Sequence, residues 1–219
     1  MSNGVKSWSF SAWKLYDQCP FKFKCLKIDK LKEPQSPHLK RGNDIHKEME
    51  LYLVGKLDEV PESGKEFASL LEMLRGLDPF VEQEWAFTDS WGRTKWRDWK
   101  NCWLRVKTDV CAIAGRDGLI VDHKTGKKYD ENVEQIELFA LSGFHIHPQV
   151  DNFEMRLWYL DSGEEVVEER SRDQVPEMKA AWMDRIGPMF NDTIFAPKPN
   201  KFCDWCHFRK SNGGPCSHG

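Results

Sequence analysis

The 219-residue sequence has no apolar run long enough to cross a bilayer, which excludes a membrane-spanning helix as its organising feature. Its first stretch, MSNGVKSWSF, lacks the basic-then-apolar order of an export signal, so a cytoplasmic location is the expectation. No charge of one sign dominates: 32 Lys and Arg stand against 35 Asp and Glu, a formal net charge of −3. A global pull on nucleic acid is thereby excluded, and any such binding must come from a local basic surface. Internal repeats and low-complexity linkers are also missing. So is a GxxxxGK[ST] loop, which leaves the chain without a helicase motor of its own.

What is present is a composition ordinary for one well-packed domain, 40% hydrophobic and 31% charged. Seven cysteines are unevenly placed: Cys19 and Cys25 near the start, Cys102 and Cys111 in the middle, and Cys203, Cys206 and Cys216 close to the end. In a reducing compartment clustered cysteines bind metal more often than they form disulfides. Cys102 and Cys111 read as apolar strand residues.

The pattern along the chain alternates between helical and strand periods. SFSAWKLYDQ opens on a serine able to cap a helix, and Pro20 interrupts it. A second helix is expected from about Lys40 to Leu57, with Ile45, Met49, Tyr52 and Leu53 on one face, and a third from Glu66 to Gly76 after the PESG turn. EWAF, CWLRVKTDVCAIAG and GLIVDHKTG then read as strands, the last two joined by a hairpin at Gly115 to Gly118. NVEQIELFALSGF returns to helical period; NFEMRLWYL and EEVVEER form a strand pair, and a helix from about Pro176 to Met189 precedes the cysteine-rich tail. The expected class is α/β with a mixed central sheet flanked by helices.

The stretch LIVDHKTGKK carries the chemistry. In a strand, residues two apart share a face, so Asp122 and Lys124 project together. Asp109 closes the preceding strand across the hairpin, so two carboxylates and an ammonium converge at one sheet edge. Carboxylates held that close repel one another and lose hydration, an arrangement that a divalent cation such as Mg²⁺ relieves. Lys124 can then position water or stabilise charge developing on a phosphate. Asp122 and Lys124 alone would read equally well as a surface ion pair on an edge strand.

With those residues in place, the sequence resembles the PD-(D/E)xK nuclease superfamily in its RecB-type form. Asp109 followed by Asp122-x-Lys124, in the setting VDHKTG, is similar to the signature. GNDIHKEME resembles the Gly-x-x-x-His motif, EWAF the acidic first strand, QIELFAL the Gln-x-x-x-Tyr motif, and SFSAWKLYDQCPFKFK the opening helix with its Cys-Pro. CDWCHFRKSNGGPC resembles the carboxy-terminal cysteines of the iron-sulfur subgroup, which includes AddB and the CRISPR-associated four-cysteine exonucleases. The resemblance implies a restriction-endonuclease-like core over residues 1–219, with 1–30 and 195–219 forming a metal-cluster region. It implies His46, Asp109, Asp122 and His123, the last through its backbone carbonyl, as ligands of Mg²⁺ or Mn²⁺. Lys124 is then the catalytic lysine, Gln135 contacts the site or DNA, and Glu84 is the first-strand acid, with Glu82 close by. Cys19, Cys203, Cys206 and Cys216 become ligands of a [4Fe-4S] cluster, for which four thiolates are the usual complement. Zinc is the alternative occupant, with Cys25, His207 and His218 as substitute ligands.

Two departures from the pattern stand out. Position 139 is Phe where the family has Tyr, and Thr108 replaces the usual proline before the first aspartate. The nine residues between Cys206 and Cys216 also exceed the family's usual spacing. The stretch WGRTKWRDWKNCW interleaves Trp91, Trp96, Trp99 and Trp103 with Arg93, Lys95, Arg97 and Lys100, as single-strand binders do, although half of those tryptophans suit a core. Arg93, Lys95, Trp96, Arg97 and Lys127 are the expected DNA contacts. The activity implied is a metal-dependent DNA exonuclease favouring single strands and working 5′ to 3′, in repair, recombination or phage DNA metabolism, with a helicase or recombination protein as partner. A structure- or sequence-specific endonuclease of the same fold, and a non-catalytic zinc-stabilised nucleic-acid-binding protein, are the competing readings.

Overall fold

The computed structural model describes residues 3–127 and 132–218; Lys128, the last residue of LIVDHKTGKK, lies outside the described residues. The chain forms two compact units, Met1–Gln35 with Ala180–Gly219, and Ser36–Lys179. In chain order the elements are α1 (Phe10–Gln18), α2 (Pro20–Phe23), α3 (Pro37–Leu53), α4 (Ala68–Gly76), β1 (Phe80–Phe87), β2 (Arg93–Thr94), β3 (Leu104–Ala114), β4 (Asp117–Lys124), α5 (Asn132–Ile146), β5 (Asn152–Tyr159), β6 (Glu164–Ser171) and α6 (Val175–Asn191). The division between units falls within α6.

In the first unit the Ser9 hydroxyl accepts from the Ala12 N–H, which starts α1 as expected for a serine cap. Trp8 and Trp13 pack on Trp182 with ring centroids 5.4 and 5.2 Å apart, and the Trp13 indole donates to the Arg185 carbonyl at 3.1 Å. The chain after Pro20 stays helical and widens into a π-helical turn over Lys24–Ile28, which buries Cys25. The tail is irregular but tied down: Asn200 donates from its side chain to the Gln18 carbonyl at 3.0 Å, and the Cys216 N–H donates to the Phe208 carbonyl at 3.0 Å.

The second unit is built on a six-stranded sheet of order β2-β1-β3-β4-β5-β6, antiparallel throughout except for the parallel pair β4 and β5. Helix α5 is the crossover that this parallel pair requires. The β3–β4 hairpin pairs Ala114 with Asp117 and turns through Gly115 at φ 65°, a conformation that suits glycine. One core joins Ile45, Met49, Tyr52, Leu53, Phe67, Leu71 and Leu74 to Val110, Val121 and Trp158 of the sheet. Met49, Leu71 and Leu74 are wholly buried, each contributing roughly 1.5–3 kcal/mol, enough to fix α3 and α4 where they pack.

The structure differs from the sequence expectation at element ends. Helix α3 begins at Pro37, because Ser36 caps it by accepting from the Leu39 N–H at 3.2 Å and proline is suited to the first helical position. It ends at Leu53 and not Leu57. The PESG segment enters a 3₁₀ stretch, Glu62–Phe67, so that α4 starts at Ala68. The two-residue strand β2 has no counterpart in the expectation.

Candidate active site

The β3–β4 ladder runs from Ala114↔Asp117 to Val110↔Val121 and stops there, one step short of Asp109 and Asp122. Those two residues therefore sit where the strands part, and both are buried. Helix α3 brings His46 to the same fork, its Nδ1 3.1 Å from Asp109 Oδ2. The helix can come close because Gly42, one turn before His46, has no side chain: a Cβ there would lie 3.1 Å from Thr125 Oγ1.

Asp109 Oδ2 also accepts the His123 backbone N–H at 2.8 Å, and the His123 Nδ1 lies 3.6 Å from it. His46, Asp109 and His123 thus offer ligand atoms within 4.8 Å of one another, a spacing suited to one metal ion. The expectation gave His123 a role through its carbonyl; here its imidazole faces the group, with the ring packed beside Trp158 at 5.6 Å and Nε2 buried without a partner. Lys124 Nζ lies 2.6 Å from Asp122 Oδ2 and donates to Gln135 Oε1 at 2.5 Å. Gln135 occupies the first turn of α5, and Phe139, one turn on, is buried as core. Asp122 Oδ2 has a charge neighbour in Lys124 but no well-aligned hydrogen-bond donor.

The electrostatics divide the carboxylates. Burial pushes the Asp122 carboxyl up; the Lys124 charge opposes this and Asp109 adds to it. Burial pushes Asp109 up as well, but the hydrogen bond and charge of His46, with His123, outweigh it and hold Asp109 below the usual range. Burial lowers His46, yet the bond to Asp109 and the charges of Asp109, Asp122 and Glu82 raise it overall. His123, buried throughout, is pushed down to about 4, which keeps a neutral imidazole able to bind metal.

Of the β1 acids, Glu82 contributes charge at His46. Glu82 adopts φ 53° between the pairs Val81↔Val110 and Gln83↔Thr108, which sets it level with Asp109, and it forms an ion pair with Lys107. Glu84 is exposed and lines a separate cleft with Phe80, Gln83, Trp85, Arg93 and His147. The family resemblance named Glu84, with Glu82 close by, and a left-handed residue within a strand leaves no trace in hydrophobic pattern.

Of the expected DNA contacts, Arg93, Lys95, Arg97 and Lys127 are exposed and Trp96 is half-buried. Trp91 is core, Trp96 and Trp103 are half-buried and Trp99 is 78% exposed, so one of the four tryptophans, and not half, is core. In the first unit, Cys19, Cys203, Cys206 and Cys216 line one pocket with Phe21, Pro197, Phe208 and Arg209.

Residues 7–109 match the family model of the PD-(D/E)XK nuclease superfamily, just under half of the chain and ending on Asp109. Asp122, Lys124 and Gln135 lie beyond the matched segment. None of the curated proteins matches the sequence. Among solved structures the chain is similar to a "Putative exonuclease" from Eubacterium rectale, with a TM-score of 0.55 and 13% identity over 93% of this chain and 88% of that one. It is similar also to SSO0001, with a TM-score of 0.51 and 14% identity over 93% of this chain and 84% of that one. At such identities the likeness is one of fold, and the mixed six-stranded sheet with flanking helices is consistent with a restriction-endonuclease-like arrangement.

Proposed function

We propose that the protein is a divalent-metal-dependent deoxyribonuclease that removes nucleotides from DNA ends, 5′ to 3′ and with a preference for single strands, in DNA repair, recombination or phage DNA metabolism. The observation that carries this reading is the fork of β3 and β4, where two buried carboxylates, His46 and Lys124 come together. The two buried carboxylates, one with an oxygen that has no aligned donor, suit Mg²⁺ or Mn²⁺, and the imidazole nitrogens within 4.8 Å of Asp109 favour Mn²⁺ of the two. His46, Asp109 and Asp122 would hold the ion, with His123 completing the set. A bound divalent ion neutralises the carboxylates and polarises a phosphoryl oxygen. Lys124, held between Asp122 and Gln135, presents its ammonium to water or to the charge that develops on phosphorus. Glu82 adds negative charge from β1.

The same reading assigns a [4Fe-4S] cluster to Cys19, Cys203, Cys206 and Cys216, in the region formed by residues 1–30 and 195–219. One observation supports it: the four thiols line one pocket, and four thiolates are the usual complement of such a cluster. A helicase or recombination protein would supply the motor that the chain lacks.

End-labelled linear DNA and closed circular DNA, digested side by side in Mg²⁺ and Mn²⁺, test the exonuclease assignment. Release of the terminal label with the circle intact is expected. Linearisation of the closed circle at the rate of linear digestion would replace this reading with an endonuclease.

A further inference from the structure

The loop between β2 and β3 presents an aromatic surface that the fork does not use. Trp99 is 78% exposed, the indole of a residue type that folding ordinarily buries. It is nevertheless held in place. The Arg105 guanidinium stands 5.2 Å from the Trp99 ring centroid and 5.8 Å from that of Trp96, and its Nε donates to the Trp96 carbonyl at 3.0 Å. Asp98 fixes the turn from inside: its carboxylate accepts from the Thr94 hydroxyl at 2.7 Å, the Asn101 N–H at 3.0 Å and the Lys100 N–H at 3.2 Å. The Asn101 side-chain amide also donates to it at 3.0 Å, and that bond first, with the Thr94 hydroxyl and the backbone N–H groups, holds the Asp98 carboxyl at about 2.

The charges in the stretch WGRTKWRDWKNCW are mainly positive. Asp98 is the single acid in WGRTKWRDWKNCW and is already engaged, whereas Arg93, Lys95, Arg97 and Lys100 form no ion pair among the described residues. An exposed indole backed by the Arg105 guanidinium, in a loop that also exposes Arg93, Lys95, Arg97 and Lys100, is complementary to a flat π-face that carries phosphate on either side. That description fits an unpaired nucleotide and not a duplex, whose bases are already stacked on each other.

We infer that Trp99, backed by Arg105, is a stacking station for a base of single-stranded nucleic acid, with Arg93, Lys95, Arg97 and Lys100 holding the flanking phosphates. The inference deepens the nuclease reading by naming where the substrate strand is gripped. Arg105 lies four residues before Asp109 on β3, roughly 14 Å along the strand at about 3.4 Å per residue. At about 3.4 Å per stacked nucleotide that span is roughly four bases, so a strand gripped at Trp99 can reach the fork. Trp96, which the sequence favoured as the contact, acts as the support beneath Arg105.

The test is binding by the full chain in EDTA, where cleavage cannot occur, measured by fluorescence anisotropy with labelled oligo-dT, oligo-rU and duplex DNA of about 20 nucleotides. Trp99→Ala should weaken single-strand binding by roughly tenfold or more, and Trp99→Phe should keep most of it, with duplex affinity changed by less than about twofold. A loss on oligo-dT alone assigns the station to DNA, and an equal loss on oligo-rU assigns it to single strands of either sugar. Because Trp99 is exposed the variant should fold normally, and an unchanged melting curve confirms that. Binding of both oligonucleotides by Trp99→Ala within about twofold of the parent overturns the inference even if the parent cleaves DNA. Trp99-dependent binding by a protein that cleaves nothing in Mg²⁺ overturns the nuclease reading and leaves the station standing.

Discussion

At the scale of single residues, Asp122 shows what the site costs the fold. Its carboxyl is raised by burial, so the folded state binds that proton more tightly than the unfolded chain does. Stability from this group is therefore present at pH below the ordinary carboxylate value and declines as pH rises through the raised one. Wherever the pH is high enough to ionise it, the buried group opposes folding. Asp122→Asn keeps the shape and removes the charge. In metal-free buffer its melting temperature should equal or exceed that of the parent, while hydrolysis falls by orders of magnitude; a clear drop in melting temperature would contradict this assignment of strain. The β1 acids give a second comparison. Glu82→Gln should raise the Mg²⁺ or Mn²⁺ concentration needed for half-maximal hydrolysis, by roughly tenfold or more as for other outer ligands. Glu84→Gln should leave it unchanged, and the reverse order would restore Glu84 to the site. Asp109, Asp122, Lys124, His46 and Gln135 were legible because each sits in a local pattern whose spacing survives folding. Glu82 was not, since its place depends on one φ of 53°. The resemblance pointed to the His123 carbonyl; strand alternation sends its imidazole to the face opposite Asp122, and the parting of β3 and β4 brings Asp109 within reach of that ring.

At the scale of elements, the long strands and helices were readable from period alone, because burial on one face leaves a repeating trace in sequence. Short pieces leave none. β2 has two residues, and its pairing of Arg93 and Thr94 with Phe87 and Ala86 is imposed by the neighbouring strand. The π-helical turn at Lys24–Ile28 and the 3₁₀ stretch at Glu62–Phe67 likewise answer to packing and not to propensity. The packing of α5 on the sheet rests on small residues that face one aromatic ring. A Cβ at Gly118 would lie 2.2 Å from Phe153, and one at Gly143 would lie 2.8 Å from it. Gly143→Ala should therefore cost about 1–3 kcal/mol in denaturant unfolding, and pairing it with Phe153→Leu should recover part of that loss. Strict additivity of the two substitutions would show that the ring is not what Gly143 accommodates.

At the scale of the whole molecule, the two compact units carry separable claims. The cluster assignment predicts that protein purified without oxygen is brown, with broad visible absorption. Any one of Cys19→Ser, Cys203→Ser, Cys206→Ser and Cys216→Ser should bleach it and lower its melting temperature, whereas Cys102→Ser and Cys111→Ser should not. Colourless anaerobic protein with stoichiometric zinc would reject the cluster and leave the fork untouched, because the residues are different. Sequence order singled out the cysteine set, and its four members line one pocket, but the nature of any occupant is set by thiol spacing in three dimensions. The central claim is that the β3–β4 fork is a metal-dependent phosphodiesterase site. Its most direct test is hydrolysis of linear DNA by the parent, Asp122→Asn and Lys124→Ala, each with Mg²⁺ and with chelator, on protein shown to be folded by its melting curve. The account predicts cleavage by the parent in Mg²⁺ alone, with both variants reduced by at least about a hundredfold. Cleavage by Asp122→Asn at the parent rate, or by the parent in chelator, would contradict it.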